Sequence, residues 1–311
     1  MTNLKHALVC LLITWVISYQ ANSTPHTTSS NKNLQKLRQH QWYHGAADCQ
    51  NQQSSAIESF QYNAQTFVLR QNKCLHYEAP FIYLLIGKEW ALLLDTGATA
   101  NANKFPLYSE VQKLLLSAAS THRKMPLLVL HSHGHSDHIA ADGQFQNPPE
   151  TTVIPPNLIG VKAHFGYGPK ALNWPEDTKL IDLGGRTLTL IPIPGHSEDA
   201  IALFDQHTGW LLTGDSLYPG RLYVRNWQEY RLSIQRLYEH TASLAVTAIM
   251  GTHIEMSKAP GIDYPVGATY QPNEAPLPLD FEHLKTLNHL LQRNPTPTRI
   301  VSEAFILQPL D

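Results

Sequence analysis

The most informative stretch of this chain is HSHGHSDH, residues 131–138, which places four histidines and one aspartate within eight positions. It directly follows a short apolar run, residues 127–130, whose composition is typical of a buried strand. Histidines at the end of such a strand lie where a rigid scaffold holds them. Because residues two apart in an extended segment point to the same side, His133 and His135 are predicted to bind one metal ion together.

Asp137 and His138 come next in the chain and are placed to turn toward a second ion beside the first. Imidazole and carboxylate ligands suit zinc, and they also suit iron or manganese. A catalytic zinc takes three protein ligands and keeps one position open for water, so this stretch alone does not complete a site.

Three further side chains of the metal-binding kind stand behind predicted strands, each after a glycine or a Gly-Thr pair that lets the backbone turn. They are His196 after the strand at 187–193, Asp215 after the strand at 210–212, and His253 after the strand at 245–250. The chain has 17 histidines in 311 residues, and neutral imidazole is the commonest metal ligand. Separate strand ends are therefore predicted to converge on one metal centre.

The hydrophobic pattern along the chain predicts a mixture of strands and helices. Strands are predicted at 66–69, 81–86, 90–94, 127–130, 187–193, 200–204, 210–212 and 245–250, with a closing strand within 299–307. Helices are predicted around 107–118, 230–237 and 281–291. Because the strands come in hairpins with helices between the groups, the pattern favours sheets packed together and covered by helices.

In five segments, spread over roughly residues 66–255, the sequence resembles the metallo-β-lactamase superfamily. The segments are LLDTG at 93–97, SHGHSDH at 132–138, IPGH at 193–196, TGD at 213–215 and GTH at 251–253, in the order found in that family. The resemblance implies an α/β fold of the α+β type. It is an αββα sandwich of two mixed β-sheets flanked by helices, with the site at one edge of the sheets.

The resemblance also implies a binuclear site with two zinc ions, or with iron or manganese in their place. The implied ligands are His133, His135 and His196 for one ion, Asp137, His138 and His253 for the other, and Asp215 as the bridge. Asp95 is expected to orient the loop that carries the histidines without binding metal itself. His131 is expected to be structural, because a register that uses His131 and His133 displaces the family's Asp-His pair.

Two such cations lower the pKa of a shared water, so hydroxide is available near neutral pH to attack a carbonyl group, while Asp137 takes and returns a proton. The expected function is an exported metal-dependent hydrolase that cleaves an ester, lactone, thioester or amide in a small molecule. β-Lactam cleavage ranks below the other reactions, since lactamases of this family usually carry cysteine or serine where Asp215 stands. Persulfide oxidation with one iron and a non-catalytic metal-stabilised binding domain stay open as alternatives.

The N-terminus predicts export to the periplasm or the medium. Residues 1–23 combine a lysine, an apolar run at 7–18 and a small-x-small site, which together indicate a cleavable signal peptide that leaves no stable membrane anchor. A retained anchor is the alternative, although the apolar run is shorter than the ~20 residues that span a bilayer. Residues 24–60 are polar and predict a flexible linker or extension before a metallo-β-lactamase-like domain at 61–311.

Cleavage of the signal would leave two cysteines, Cys49 and Cys74. An even pair in an exported protein favours a disulfide over two reduced thiols. Lysine and arginine total 23 against 25 aspartates and glutamates, so the charge balance gives no footprint for nucleic acid. The expected partner is a small-molecule substrate.

Several residues are candidates for contact with that substrate, although core filling for the aromatic side chains and solvent exposure for the arginines are the simpler expectations. They are Trp174, Tyr218, Tyr223, Tyr270, Arg221 and Arg225. Residues 261–278 are rich in Pro, Gly and Tyr, and they form either a loop over the site or a plain connector.

Overall fold

Two central β-sheets packed face to face organise the computed structural model, which describes residues 25–118 and 124–310. The predicted signal peptide, residues 1–23, lies outside the described residues.

The first sheet has six strands. In spatial order they are β1 (Ile57–Asn63), β2 (Thr66–Gln71), β3 (Phe81–Ile86), β4 (Ala91–Leu94), β5 (Leu127–Leu130) and β6 (Thr151–Val153). The pairs from β1 to β4 are antiparallel, whereas β4, β5 and β6 run parallel. Every residue of β4 and β5 is apolar and buried, as expected for parallel strands covered on both faces. Both strands therefore deliver the polar residues that follow them to the same edge of the sheet.

The second sheet has five strands. In spatial order they are β12 (Ala248–Gly251), β10 (Trp210–Gly214), β9 (Ile201–Asp205), β8 (Thr187–Pro192) and β7 (Lys179–Asp182). The strands predicted at 187–193, 210–212 and 245–250 correspond to β8, β10 and β12. The predicted closing strand is instead divided into β13 (Ile300–Val301) and β14 (Ile306–Pro309), which join β11 (Arg221–Val224) in a third, smaller sheet.

Helices surround the two sheets. They are α1 (Pro25–Gln39), α2 (Leu107–Ala118), α3 (Ser136–Ile139), α4 (Leu158–Phe165), α5 (Trp227–Thr241) and α6 (Phe281–Arg293). Within the described residues, no helix is both long enough and apolar enough to cross a bilayer.

Three apolar clusters define the layers. The main core lies between the two sheets and contains, for example, Tyr83 of β3 and Trp210 of β10. The helix α2 packs on the outer face of the first sheet through Val111, while α5 and α6 cover the outer face of the second through Ile234 and Leu287. The order helix, sheet, sheet, helix confirms the predicted αββα fold class.

The structure describes most of residues 24–60, the segment predicted to be a flexible linker or extension, as a helix followed by a stretch that packs on the core. Residues Pro25–Gln39 form α1, and β1 begins at Ile57. Leu37 and Trp42 are buried in the core between the sheets. The sequence did not indicate this packing, because most residues of the segment are polar. Burial of the few apolar side chains is enough to hold the segment against the core.

Cys49 and Cys74 form a disulfide bond, with their Cα atoms 5.2 Å apart. The bond ties the segment after α1 to the loop between β2 and β3.

Candidate metal centre

All seven predicted ligands meet at one edge of the two sheets, in two groups. The first group is His133, His135 and His196, and the second is Asp137, His138, Asp215 and His253. Within each group the candidate ligand atoms lie within 4.8 Å of one another. The residues follow β5, β8, β10 and β12 or begin α3, so the ends of four strands build the site.

The first group is a triangle of imidazole nitrogens. Nε2 of His133 lies 2.8 Å from Nδ1 of His135, and Nε2 of His196 lies 3.1 and 3.0 Å from these two atoms. A neutral imidazole offers one nitrogen lone pair, and one proton joins only two nitrogens. Three nitrogens that converge on one point therefore fit a cation better than a network of hydrogen bonds.

The second group mixes imidazoles with carboxylates. Nε2 of His253 lies 3.3 Å from Oδ2 of Asp137 and 3.2 Å from Oδ1 of Asp215. Nε2 of His138 lies 3.2 Å from Oδ2 of Asp137 but is buried and makes no hydrogen bond to the described residues. Since a buried polar atom without a hydrogen bond is costly, this nitrogen and the donor set around it fit a bound metal ion.

Asp215 lies between the two groups. Its Oδ2 faces the first group, 3.6 Å from Nε2 of His196 and 3.9 Å from Nε2 of His133. Its Oδ1 faces the second group, 3.5 Å from Nε2 of His138. The carboxylate is thus positioned to bridge two cations.

The two groups also differ in the charge of their histidines. Burial lowers the pKa of His133, and also that of His196, so these imidazoles are neutral and keep a lone pair for a metal. Burial alone would lower the pKa of His138 too, but the carboxylates of Asp137 and Asp215 outweigh it and raise that pKa well above its ordinary value. The second group therefore holds negative charge that protons or a cation must neutralise.

Asp95 belongs to neither group, but it contacts the loop that carries the histidines and one of the candidate ligands. It is fully buried; Oδ1 accepts a bond from the backbone N–H of Ser132 at 2.7 Å, and Oδ2 lies 3.0 Å from Nδ1 of His138. Such a carboxylate fixes the orientation of the ring and directs its other nitrogen toward the metal.

The backbone also orients ligands, which the sequence did not indicate. Nδ1 of His196 lies 2.7 Å from the carbonyl oxygen of Tyr223, and Nδ1 of His253 lies 3.1 Å from that of Glu78. Thr252 donates a hydrogen bond from its hydroxyl to Oδ1 of Asp215. A carbonyl group belongs to every residue, so only Thr252, beside His253 in the motif, carries a signal in the sequence.

Two glycines allow the turns that present the ligands. Gly195 has φ +138°, and a Cβ there would lie 2.4 Å from the Cα of Tyr230 in α5. Gly214 has φ +52°, and a Cβ there would lie 2.7 Å from the Cβ of Ser132. Both positions thus require glycine, and each directly precedes a predicted ligand.

His131 is held away from both groups. It is buried, and its Nε2 lies 2.9 Å from Oδ1 of Asp142. The alternative register that uses His131 and His133 as a metal pair is therefore not the one the structure adopts.

A cavity of about 490 Å³ opens beside the first group. His135 and His196 line it together with Trp174 and Arg225, two of the predicted substrate contacts. Arg225 is exposed, and its guanidinium forms no ion pair or hydrogen bond with the described parts of the chain. The carboxylates of Glu198 and Glu229 also line the cavity, so it offers a substrate an apolar wall together with charges of both signs.

The other predicted contacts have structural roles. Tyr218 is buried, and its hydroxyl donates to the carbonyl oxygen of Arg221. Arg221 is not a free surface cation, since it pairs with Glu255 at 2.8 Å and with Asp263 at 2.6 Å. The hydroxyl of Tyr223 accepts a bond from Nε of Arg221 at 3.1 Å.

Residues 261–278 form a connector rather than a cover for this cavity, which they do not line. Tyr270 is exposed and forms a β-bridge with Gly45. The segment thus packs against the N-terminal part of the chain.

Several known proteins are similar to this chain. A hydroxyacylglutathione hydrolase from Anaeromyxobacter dehalogenans (strain 2CP-C) is 31% identical over 44% of this chain, but over only 46% of its own length. The acyl-coenzyme A thioesterase MBLAC2 of Gallus gallus is 26% identical over 56% of this chain and 72% of its own. A solved metallo-beta-lactamase from Pontibacter korlensis aligns with 76% of this chain and 100% of its own, with a TM-score of 0.49 and 18% identity.

A family model gives the broadest assignment. Residues 78–253, more than half of the chain, match the model of the metallo-beta-lactamase superfamily. The matched range contains all seven residues of the two ligand groups. The protein belongs to the metallo-beta-lactamase superfamily.

Proposed function

We propose that this protein is an exported hydrolase with two zinc ions that cleaves a carbonyl compound, foremost a thioester or ester of a small molecule. The observation that carries the proposal is the position of Asp215, whose two oxygens face two separate groups of metal-binding side chains. Lactones and amides belong to the same class of reaction.

Two cations in these groups would lower the pKa of a shared water and polarise the carbonyl group of the substrate. The residues of the chain provide the surroundings for this chemistry. Asp137 is the more exposed of the two carboxylates, with 18% of its side chain accessible against 10% for Asp215. It is therefore the group that takes a proton from the attacking water and returns it to the leaving group.

The cavity beside the first group supports a small organic substrate. Trp174 offers an apolar surface, and Arg225 offers a cation for a negatively charged part of the molecule. Thioesters come first because two of the similar proteins bear the names hydroxyacylglutathione hydrolase and acyl-coenzyme A thioesterase.

Export is proposed from the sequence of residues 1–23. The disulfide between Cys49 and Cys74 supports it, because such bonds persist in oxidising compartments outside the cytoplasm.

The test is a substrate screen on purified, zinc-loaded protein, with thioesters, esters, lactones and a chromogenic cephalosporin. We expect hydrolysis of thioesters or esters, and a loss of at least about 100-fold in H196A and D215A, since each ion supplies several kcal/mol to the reaction. The matched control is H240A, which removes an exposed histidine on α5 and should leave the rate unchanged.

Three results would change the proposal. Efficient cleavage of the cephalosporin would put β-lactams first among the substrates. One iron per chain together with oxygen uptake would favour persulfide oxidation. Metal-loaded protein that cleaves none of the carbonyl compounds would leave a metal-stabilised binding domain as the better account.

A further inference from the structure

The loop between β2 and β3, residues 72–80, contacts the second metal group. The carbonyl oxygen of Glu78 lies 3.1 Å from Nδ1 of His253 and fixes the orientation of that ring. Directly after the loop, the backbone N–H of Phe81 donates to the carbonyl oxygen of Thr252 at 2.7 Å. The loop thus sets both the ring and the backbone position of this ligand.

The beginning of the loop, residues 72–74, is bonded to residues 40–56, which we call the N-terminal strap. Cys74 is joined to Cys49 of the strap by the disulfide. Asn72 is buried, and its side-chain amide donates to the carbonyl oxygen of Ser55 at 2.9 Å, while its backbone N–H donates to that of Ala56 at 3.0 Å. Covalent and hydrogen bonds therefore fix the loop to the strap.

A buried lysine connects these two ends. Lys73 is 2% exposed, and its Nζ donates to the carbonyl oxygen of Tyr77 at 3.1 Å. Oε1 of Glu274 lies 3.8 Å from Nζ, and both oxygens of Glu274 also accept bonds from Arg70 at 2.6 Å. Since a buried ammonium group needs such partners, Lys73 holds the backbone at Tyr77, next to Glu78, in one place.

The first metal group has different supports. His133 is held by the hydroxyl of Ser132, 3.1 Å from Nδ1, and His196 by the carbonyl oxygen of Tyr223. Neither support belongs to the strap or to the loop. The strap also lies outside residues 78–253, which match the family model. An effect of the strap on metal binding should therefore fall on the second group alone.

We propose that the N-terminal strap, acting through the Cys49–Cys74 disulfide and Lys73, is the positioning element for His253. The affinity of the second group for its metal ion therefore depends on the strap, whereas the affinity of the first group does not. This inference rests on the proposed metal centre. If the disulfide only stabilised the fold, its loss would lower the melting temperature and leave both metal affinities unchanged.

The experiment is a competition between the protein and a zinc-binding dye, which gives the dissociation constant of each zinc ion. We expect the C49S/C74S variant to bind the zinc ion of the second group at least about tenfold more weakly, which is the usual effect of removing a partner that orients a ligand. The zinc ion of the first group should be bound with wild-type affinity. K73M, which retains the disulfide, should act in the same direction.

The control is L291A, which empties a buried position on α6, on the far side of the second sheet. It lowers the melting temperature without contact to the loop, so both zinc affinities should stay at the wild-type values. If the cysteine variant does not fold, K73M decides the question.

Wild-type affinity for both ions in C49S/C74S and K73M would overturn the inference. So would an equal weakening of both ions, since that indicates general destabilisation. A wild-type protein that binds no zinc would instead refute the proposed metal centre itself.

Discussion

The carboxylate of Asp215 lies between the two groups of candidate metal ligands and faces both. Oδ1 lies 3.2 Å from Nε2 of His253, and Oδ2 lies 3.6 Å from Nε2 of His196. Thr252 fixes this orientation by donating to Oδ1. In the proposed two-metal centre, replacing any one of the histidines would remove one ligand from one ion, whereas replacing Asp215 would weaken the binding of both ions.

Asp95 gives a sharper test of how ligands are oriented. D95N keeps the size of the side chain, and asparagine tolerates the backbone at φ +69° as well as aspartate does. It removes the negative charge beside Nδ1 of His138, so we expect metal affinity to fall by about 10- to 100-fold, measured by chelator competition.

The matched control is D142N. Asp142 contacts His131 and Thr96 rather than a ligand, so its replacement should leave metal affinity unchanged. An equal loss in both variants would show that Asp95 acts only through general stability.

Lys73 predicts a pH dependence of stability. Burial, with the nearby charge of Arg70, lowers the pKa of Lys73 from 10.5 to about 8. Between these pH values the folded state binds fewer protons at Lys73 than the unfolded state, so the free energy of unfolding rises with pH. Relative to K73M, the wild type should gain up to about 3 kcal/mol from pH 7 to pH 10.5 in urea unfolding. A constant difference between the two proteins would show that Lys73 titrates normally.

The seven side chains that converge could be predicted from the sequence, because imidazole and carboxylate groups are recognisable there as candidate metal ligands. Of the groups that orient these side chains, Asp95 was expected from the family resemblance, whereas the backbone carbonyl groups could not be predicted. Glu78 and Tyr223 act through backbone carbonyl oxygens, and only the fold brings these next to His253 and His196.

Among the elements, α5 fixes the turn that carries His196. Gly195 packs against the backbone of Tyr230, and its φ of +138° suits only glycine. We expect G195A to lose at least about 2 kcal/mol of unfolding free energy, since overpacking and backbone strain add. G143A is the control, because a Cβ at Gly143 meets no atom within 4 Å. Urea unfolding compares the two variants, and equal stability would contradict this role of α5.

Strands were predictable where the chain is apolar on both faces, as in β4 and β5, which read ALLL and LLVL. The element α1 was missed because its sequence is polar, and β1 because a strand with one exposed face resembles a polar linker when it follows such a segment. The short strand β11 was missed because it belongs to a small sheet completed only by the distant β14.

For the whole molecule, the metal ions should contribute to stability, because they bind the folded state and not the unfolded one. At zinc concentrations 100-fold above the dissociation constant, binding adds about 2.7 kcal/mol per ion, so the melting temperature should fall by several degrees after chelation. D215A should show a much smaller change. An unchanged melting temperature in the wild type would argue against a metal bound by the folded chain.

The central claim concerns where the ions bind, and anomalous X-ray diffraction at the zinc edge tests it most directly. Crystals grown with zinc should show two anomalous peaks per chain, one among His133, His135 and His196 and one among Asp137, His138 and His253, with Asp215 between them. Peaks elsewhere on the chain, with both groups empty, would contradict the account.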